Sequence, residues 1–189
     1  MAAPDPRILT TPRLTMRPAA NSDLSDLIEL MADPEVAGRL YHGVLDAAGA
    51  RALLETYKST WQEHGYGVWS LRRRDDGGFI GVCGLWNRDD GLGVATRVAI
   101  ARAAWGQDFA GEAGRAMLYY AFEVAHLPRL ISITRATNPT AERVLIRMGW
   151  RLEERMEKDG RIILRYAMTR EEWRHGAGGG QPKPIGDAP

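Results

Sequence analysis

The stretch Trp105-Gly106-Gln107-Asp108-Phe109-Ala110-Gly111-Glu112-Ala113 runs straight into the strongest helical pattern in the chain. A glycine-containing loop feeding a helix N-terminus can hold phosphate oxygens on free backbone N–H groups, helped by the helix dipole and without a metal. The same composition also makes an ordinary turn. Glu112 would either face a reacting centre or serve the helix dipole from its first turn. In Tyr41-His42, the imidazole is the natural base near neutral pH, or simply a loop histidine. Trp69, Trp86 and Trp105 could wall an acceptor pocket or fill a core. Arg72-Arg73-Arg74 offers an acidic partner a landing site, or is the solvated end of a hairpin. His64, His126 and His175 lack zinc-ligand spacing, and the chain carries no G-x-S-x-G, Walker A or Rossmann pattern. No metal is expected. One cysteine, Cys83, permits neither an intramolecular disulfide nor a Cys-rich zinc site, which favours a reducing compartment and a cytoplasmic location.

The elements that must position these residues follow from periodicity. Leu14 and Met16 alternate in a strand from Ile8 to Arg17 that Pro18 ends. Asn21-Ser22-Asp23 offers a cap to a helix carrying Leu24, Leu27, Ile28 and Met31, which Asp33-Pro34 closes. A second helix spans about 46–64. Strands at 68–73, 79–85 and 92–101 form an antiparallel meander around glycine-containing turns. The helix over 110–125 repeats small and apolar residues at i, i+3, i+4, i+7 spacing and stops before Pro128. A strand at 129–134, a helix at 139–148 and a hairpin of 150–157 with 161–168 follow. At 189 residues the length suits one domain of about 150 residues with appendages: a flexible start at 1–7, a folded unit at 8–173 and a Gly/Pro-rich tail at 174–189. The balance of 25 Lys and Arg against 24 Asp and Glu gives no overall pull toward nucleic acid, and no segment is long and apolar enough to span a membrane.

Taken together, four blocks resemble the GNAT superfamily of acyl-CoA-dependent N-acyltransferases, in particular the branch of the ribosomal-protein N-terminal acetyltransferases. Thr11-Pro12-Arg13-Leu14-Thr15-Met16-Arg17-Pro18 is similar to that branch's T-x-R-L-x-L-R-P opening. Phe79-Ile80-Gly81-Val82-Cys83-Gly84-Leu85 resembles its I-G-x-x-G-L strand, and Trp105 to Ala113 its W-G-x-G-Y-A-T-E-A loop. Asn138 to Trp150 resembles N-x-x-S-x-x-V-x-x-K-x-G-F. The resemblance spans about residues 8–169. It implies an α/β (α+β) fold with a mixed, mostly antiparallel sheet, helices on both faces and a central β-α-β unit that binds acetyl-CoA. Backbone groups of Val98, Ala99 and Ile100 would contact pantetheine. Trp105, Gly106, Gln107, Asp108, Phe109, Ala110 and Gly111 would form the diphosphate loop, and Asn138 would touch the cofactor from beyond the next strand.

The activity so implied is acyl transfer, acetyl first, to a primary amine on a peptide N-terminus or a small metabolite, with a homodimer as an accompanying possibility. The departures are informative. Asp108 replaces the loop glycine; a carboxylate about 8 Å from a phosphate costs roughly 2 kcal/mol at an effective dielectric near 20. A catalytic glutamate on the preceding strand would fall at Ala95 or Thr96, and the serine of the last block is Ala141. His42 and Glu112 are the remaining proton-transfer candidates. These departures also sustain an alternative, a GNAT-fold protein that binds CoA or another ligand with altered or lost transfer.

Overall fold

The computed structural model describes residues 5–40 and 42–176. Eight strands form one sheet in the order β1-β2-β3-β4-β5-β6-β8-β7. They are β1 (Leu9–Thr10), β2 (Leu14–Pro18), β3 (Val68–Arg73), β4 (Phe79–Asn87), β5 (Val94–Ile100), β6 (Arg129–Arg135), β7 (Arg151–Lys158) and β8 (Arg161–Thr169). Every neighbouring pair is antiparallel except β5 with β6. On one face pack α1 (Leu24–Ala32), α2 (Pro34–Ala37) and α3 (Ala47–His64), whose buried residues meet Val68, Val82 and Ala99. On the other lie α4 (Phe109–Tyr119), α5 (Pro139–Arg147) and α6 (Arg170–His175). Phe109, Met117 and Trp173 there join Trp69, Leu85 and Tyr166 in a continuous core. The expected mixed sheet with helices on both faces is present, and β5-α4-β6 is its central unit.

Several local expectations are corrected. The first strand is two, because Thr11 and Leu14 bond to each other around Pro12-Arg13 and fold the chain back as a hairpin. Pro18 lies inside β2, where it pairs with Trp69. Asp33-Pro34 ends α1 but also begins α2, since Asp33 Oδ1 accepts from the Glu35 N–H at 2.9 Å and proline suits a first helical turn. The helix expected to reach 125 is α-helical only to Tyr119; beyond it the turns widen, Ala125 N–H donating to the Tyr120 carbonyl, until His126 at φ 53° ends the run. The helix α6 carries the folded chain past 173 to His175. A capping box of Thr169 and Glu172 starts it, and Trp173 packs on Phe122. The expected flexible ends coincide with the described residues only at 5–7 and 174–176, and the rest lie outside them. Within the first stretch, the Arg7 carbonyl accepts from the buried Trp69 indole at 2.7 Å.

Asp23 ties the α1 face to the sheet. It is 2% exposed and accepts hydrogen bonds from the Ala20 N–H, Ser70 Oγ, Arg17 and Arg72. Arg72 also pairs with Asp26, so the basic triplet is not a free patch. Burial alone would raise the Asp23 pKa, but the Ala20 amide and the two guanidinium groups outweigh it and hold the carboxyl below its ordinary value. A carboxylate depressed in the folded state stabilises above its unfolded pKa and loses that contribution as pH falls through the folded one. Asp23→Asn should therefore cost about 3 kcal/mol in urea unfolding at pH 7, with the difference from the parent shrinking below about pH 4. A pH-independent difference would contradict the assignment.

Candidate active site

Where β5 and β6 run side by side, their register holds one pair, Ala95↔Ile131, although each strand continues for several residues beyond it. The Ala101 N–H donates to the Ile80 carbonyl, so residues 95, 97, 99 and 101 turn their backbone groups toward β4. Strand alternation then directs the N–H and C=O of Val98 and the N–H of Ile100 into the opening gap. The Ile100 carbonyl is taken by the Trp105 indole at 2.7 Å. Of the three residues expected to line the cofactor, Ala99 instead faces its backbone to Val82 on β4.

The open end of the gap is where the carboxyl ends of β5 and β6 lead into α4 and α5, the place where open sheets containing parallel strands bind ligands. Gly106 has φ 77° and Asp108 has φ 59°, two left-handed residues that turn the loop so that α4 starts at Phe109. Asp108 tolerates that conformation better than most residues. Its carboxylate curls over the first turn, so that a Cβ on Gly111 would meet Asp108 Oδ1 at 2.6 Å. It is also paired: Arg147 of α5 bonds Oδ1, and Arg115 stands 3.7 Å from Oδ2. The negative charge read as an uncompensated repulsion thus sits between two guanidinium groups, spanning the first turn of α4 and the end of α5. Gln107 Nε2 donates to the Ala103 carbonyl, and Asn138 Oδ1 caps α5 through the Ala141 N–H.

Glu112 is spent on architecture. Its Oε1 accepts from Thr11 Oγ1 at 2.6 Å and the Arg13 N–H at 2.9 Å, while Oε2 accepts from Arg13 Nε at 2.7 Å. Burial pushes its pKa up, but these donors prevail and lower it. The Arg13 guanidinium also reaches the Gln107 carbonyl and stacks on Phe109, pinning the loop to the β1–β2 turn.

His42 lies between α2 and α3, half-buried. Its Nδ1 is 2.7 Å from the Gly43 carbonyl, which can only accept, so the proton sits on Nδ1. Nε2 is buried without a partner. Burial, then the positive charge of Arg97, lower the His42 pKa against the raising effect of the Gly43 bond. Arg97 is a site residue that no sequence motif marks. On β5 it shares a face with Ala95 and Ala99, is 8% exposed, donates to the Tyr57 hydroxyl at 3.1 Å and lies 4.6 Å over the Trp86 ring. The only available signal was its period-2 alignment with those two small residues, which puts it on an inward face. The tryptophans divide: Trp69 is core, Trp86 meets Arg97, and Trp105 is largely exposed under Arg39. Ala95 is buried, and no titratable side chain stands in its place. Cys83 is buried against Met117 and its thiol is pushed up to about 12 by burial, which removes it as a thiolate nucleophile. Among the described residues, no group of three or more His, Cys, Asp or Glu converges on a metal position, and no helix is long and apolar enough to cross a membrane.

A family model for the acetyltransferase (GNAT) domain matches residues 13–151. The chain belongs to the GNAT acetyltransferase family. Its sequence is 25% identical to the uncharacterized protein YkkB of Bacillus subtilis (strain 168) over 161 residues, 84% of this chain and 93% of that protein. Among solved structures, an acetyltransferase from Agrobacterium tumefaciens superposes with a TM-score of 0.75 at 24% identity, covering 88% of this chain and 96% of that one. The spermidine N-acetyltransferase of Vibrio cholerae, in complex with CoA and spermine, does so with a TM-score of 0.73 at 16% identity, covering 86% and 99%. These structural likenesses establish the shared fold. The GNAT assignment supports acyl-CoA-dependent N-acetyl transfer in general, without distinguishing the ribosomal-protein branch.

Asp108→Asn keeps a residue that tolerates the left-handed conformation while removing the charge and releasing Arg115 and Arg147. CoA titrated calorimetrically into this variant should bind about tenfold more tightly. Unchanged affinity would show that the carboxylate does not compete for the diphosphate seat.

Proposed function

We propose that this protein transfers an acyl group, acetyl first, from acyl-CoA to a primary amine by direct attack. The observation that carries the reading is the parting of β5 and β6 after one residue pair, with the N-terminus of α4 at the open end. The donor molecule, when bound, supplies an activated acyl thioester. Val98 and Ile100 offer backbone groups to its pantetheine amides, and an N–H on this edge of β5 polarises the acyl carbonyl. The amides from Gln107 to Gly111 hold the diphosphate with the α4 dipole, flanked by Trp105 and Gly106 and joined by Arg115 and Arg147 once these leave Asp108. Asn138 contacts the cofactor from the β6 side.

The acceptor nitrogen bonds to the acyl carbon as the carbon–sulfur bond breaks, and the amine's surplus proton is transferred to the released thiolate, directly or through a base. His42 Nε2 is that base: it is neutral near pH 7 and carries the lone pair because Nδ1–H is held by Gly43. Glu112 is a positioning residue that locks the loop to the β1–β2 turn. Much of the acceleration comes from orientation in a preformed cleft. The acceptor is a peptide N-terminus or a small metabolite, the former supported by the Thr11–Pro18 and Asn138–Trp150 blocks. The pairing of Asp108 with two arginines, together with Ala95 and Ala141, favours the second reading, a GNAT-fold protein that binds CoA or another ligand with lost or altered transfer.

Calorimetric titration with acetyl-CoA, followed by thiol release with an amine panel, separates the readings. Binding at micromolar ligand with amine-dependent thiol release is expected; binding without release supports the second reading, and no binding contradicts the transferase reading. Across pH, His42→Gln should abolish an acid limb lying below about pH 6.5 and lower kcat by at least about tenfold. An unaltered limb would dismiss His42 as the base.

A further inference from the structure

Arg97 stands on β5 two residues past the last pairing with β6, and the next residue, Val98, faces the gap. A guanidinium this deeply buried is costly unless an opposite charge offsets it. Among the described residues, no carboxylate lies within ion-pair distance of Arg97. Its contacts are neutral: the Tyr57 hydroxyl at 3.1 Å and the faces of Trp86 and Tyr57 at 4.6 and 5.8 Å. Among the described residues its guanidinium makes one hydrogen bond, so most of its five N–H donors are available to a ligand. Close by, the His42 ring carries a buried, unpartnered Nε2. The segment leading to it is held down by Arg135, whose guanidinium donates to the Gly38 and Leu40 carbonyls. This corner therefore combines a permanent cation with no ion-pair partner among the described residues, an unused proton acceptor and aromatic walls.

We infer that the acceptor is an amine that carries a carboxylate, and that Arg97 selects it by binding the carboxylate through two parallel N–H bonds. This rests on the N-acyltransferase reading above. The carboxylate supplies the charge that the protein withholds from Arg97, and planar two-point recognition is the geometry a guanidinium offers and an ammonium does not. A polycation such as spermine would meet like charge here and bind poorly. Two sources share the required chemistry, a free amino acid and a peptide whose first residue is acidic.

The test compares acceptors that differ in one group. Thiol release from acetyl-CoA is measured with free amino acids, their carboxamides, dipeptides beginning with Asp or Glu, and spermine. At least one carboxylate-bearing class should exceed its amide partner in kcat/KM by about 30-fold or more, with spermine near background. Which class responds identifies the source. Arg97→Gln should remove that preference, mainly through KM, while acetyl-CoA affinity stays within about twofold. Should Arg97→Gln fail to fold, Arg97→Lys, which keeps the charge and loses the fork, must show the KM loss with kcat largely retained. Turnover with equal or better use of amides or spermine overturns the inference and leaves the transferase reading intact, as does a folded Arg97 variant with unchanged KM. Failure of the wild-type protein to bind acetyl-CoA overturns both.

Discussion

Parallel strands share a ladder only while their backbones stay about 4.8 Å apart, and β5 and β6 do so for a single pair, Ala95↔Ile131. Beyond it, the main-chain groups of Val98 and the N–H of Ile100 face a gap, in a sheet whose other ladders, β1–β2 apart, run for five pairs or more. Backbone N–H and C=O groups in a protein interior need partners. A cleft with unused strand donors and acceptors, opening beneath a helix N-terminus, suits a long ligand with amides along its middle and phosphate at one end. The two helices following the diverging strands, α4 and α5, start at the same end, so the free amides at the start of α4 and those of the strand edge lie along one path.

Charge is arranged differently on the two sides of that path. Two buried carboxylates tie elements together: Asp23 joins α1 to β2 and β3, and Glu112 joins α4 to the β1–β2 turn. At the start of α4, Asp108 is held by two arginines in exposed pairs that salt can weaken at small cost. On the α3 side, Arg97 has aromatic neighbours in place of a carboxylate. The carboxylates of the structural pairs are buried, whereas Asp108 is exposed and Arg97 meets no carboxylate among the described residues.

Much of the fold was legible because period and turn chemistry are local. The meander, the α4 pattern from 110 to 119 and the closing hairpin all follow from alternation, helical spacing and Asp-Gly turns. Local rules failed where distant residues intervene. Thr11 breaks the first strand because it bonds Leu14 and, across the chain, Glu112. Asp108 looked like a naked charge because its partner Arg147 lies 39 positions away. Glu112 was picked as a candidate from its motif position alone, and no local pattern announces its bonds to Arg13. Nothing local marks Arg97: a strand arginine reads as solvent-facing, and only the period-2 alanines on either side of it, Ala95 and Ala99, place it on an inward face. Asp33-Pro34 was read only as a stop, although the same pair caps and starts α2.

The gap between β5 and β6 can be interrogated by amide hydrogen exchange, read by mass spectrometry with and without saturating CoA. If the cofactor runs between these strands, peptides covering 96–100 and 106–113 should become slower to exchange together, with little change in α1 or β7. CoA binding that leaves 96–100 unaltered, or protection confined to another face of the sheet, would contradict a ligand threaded through that opening.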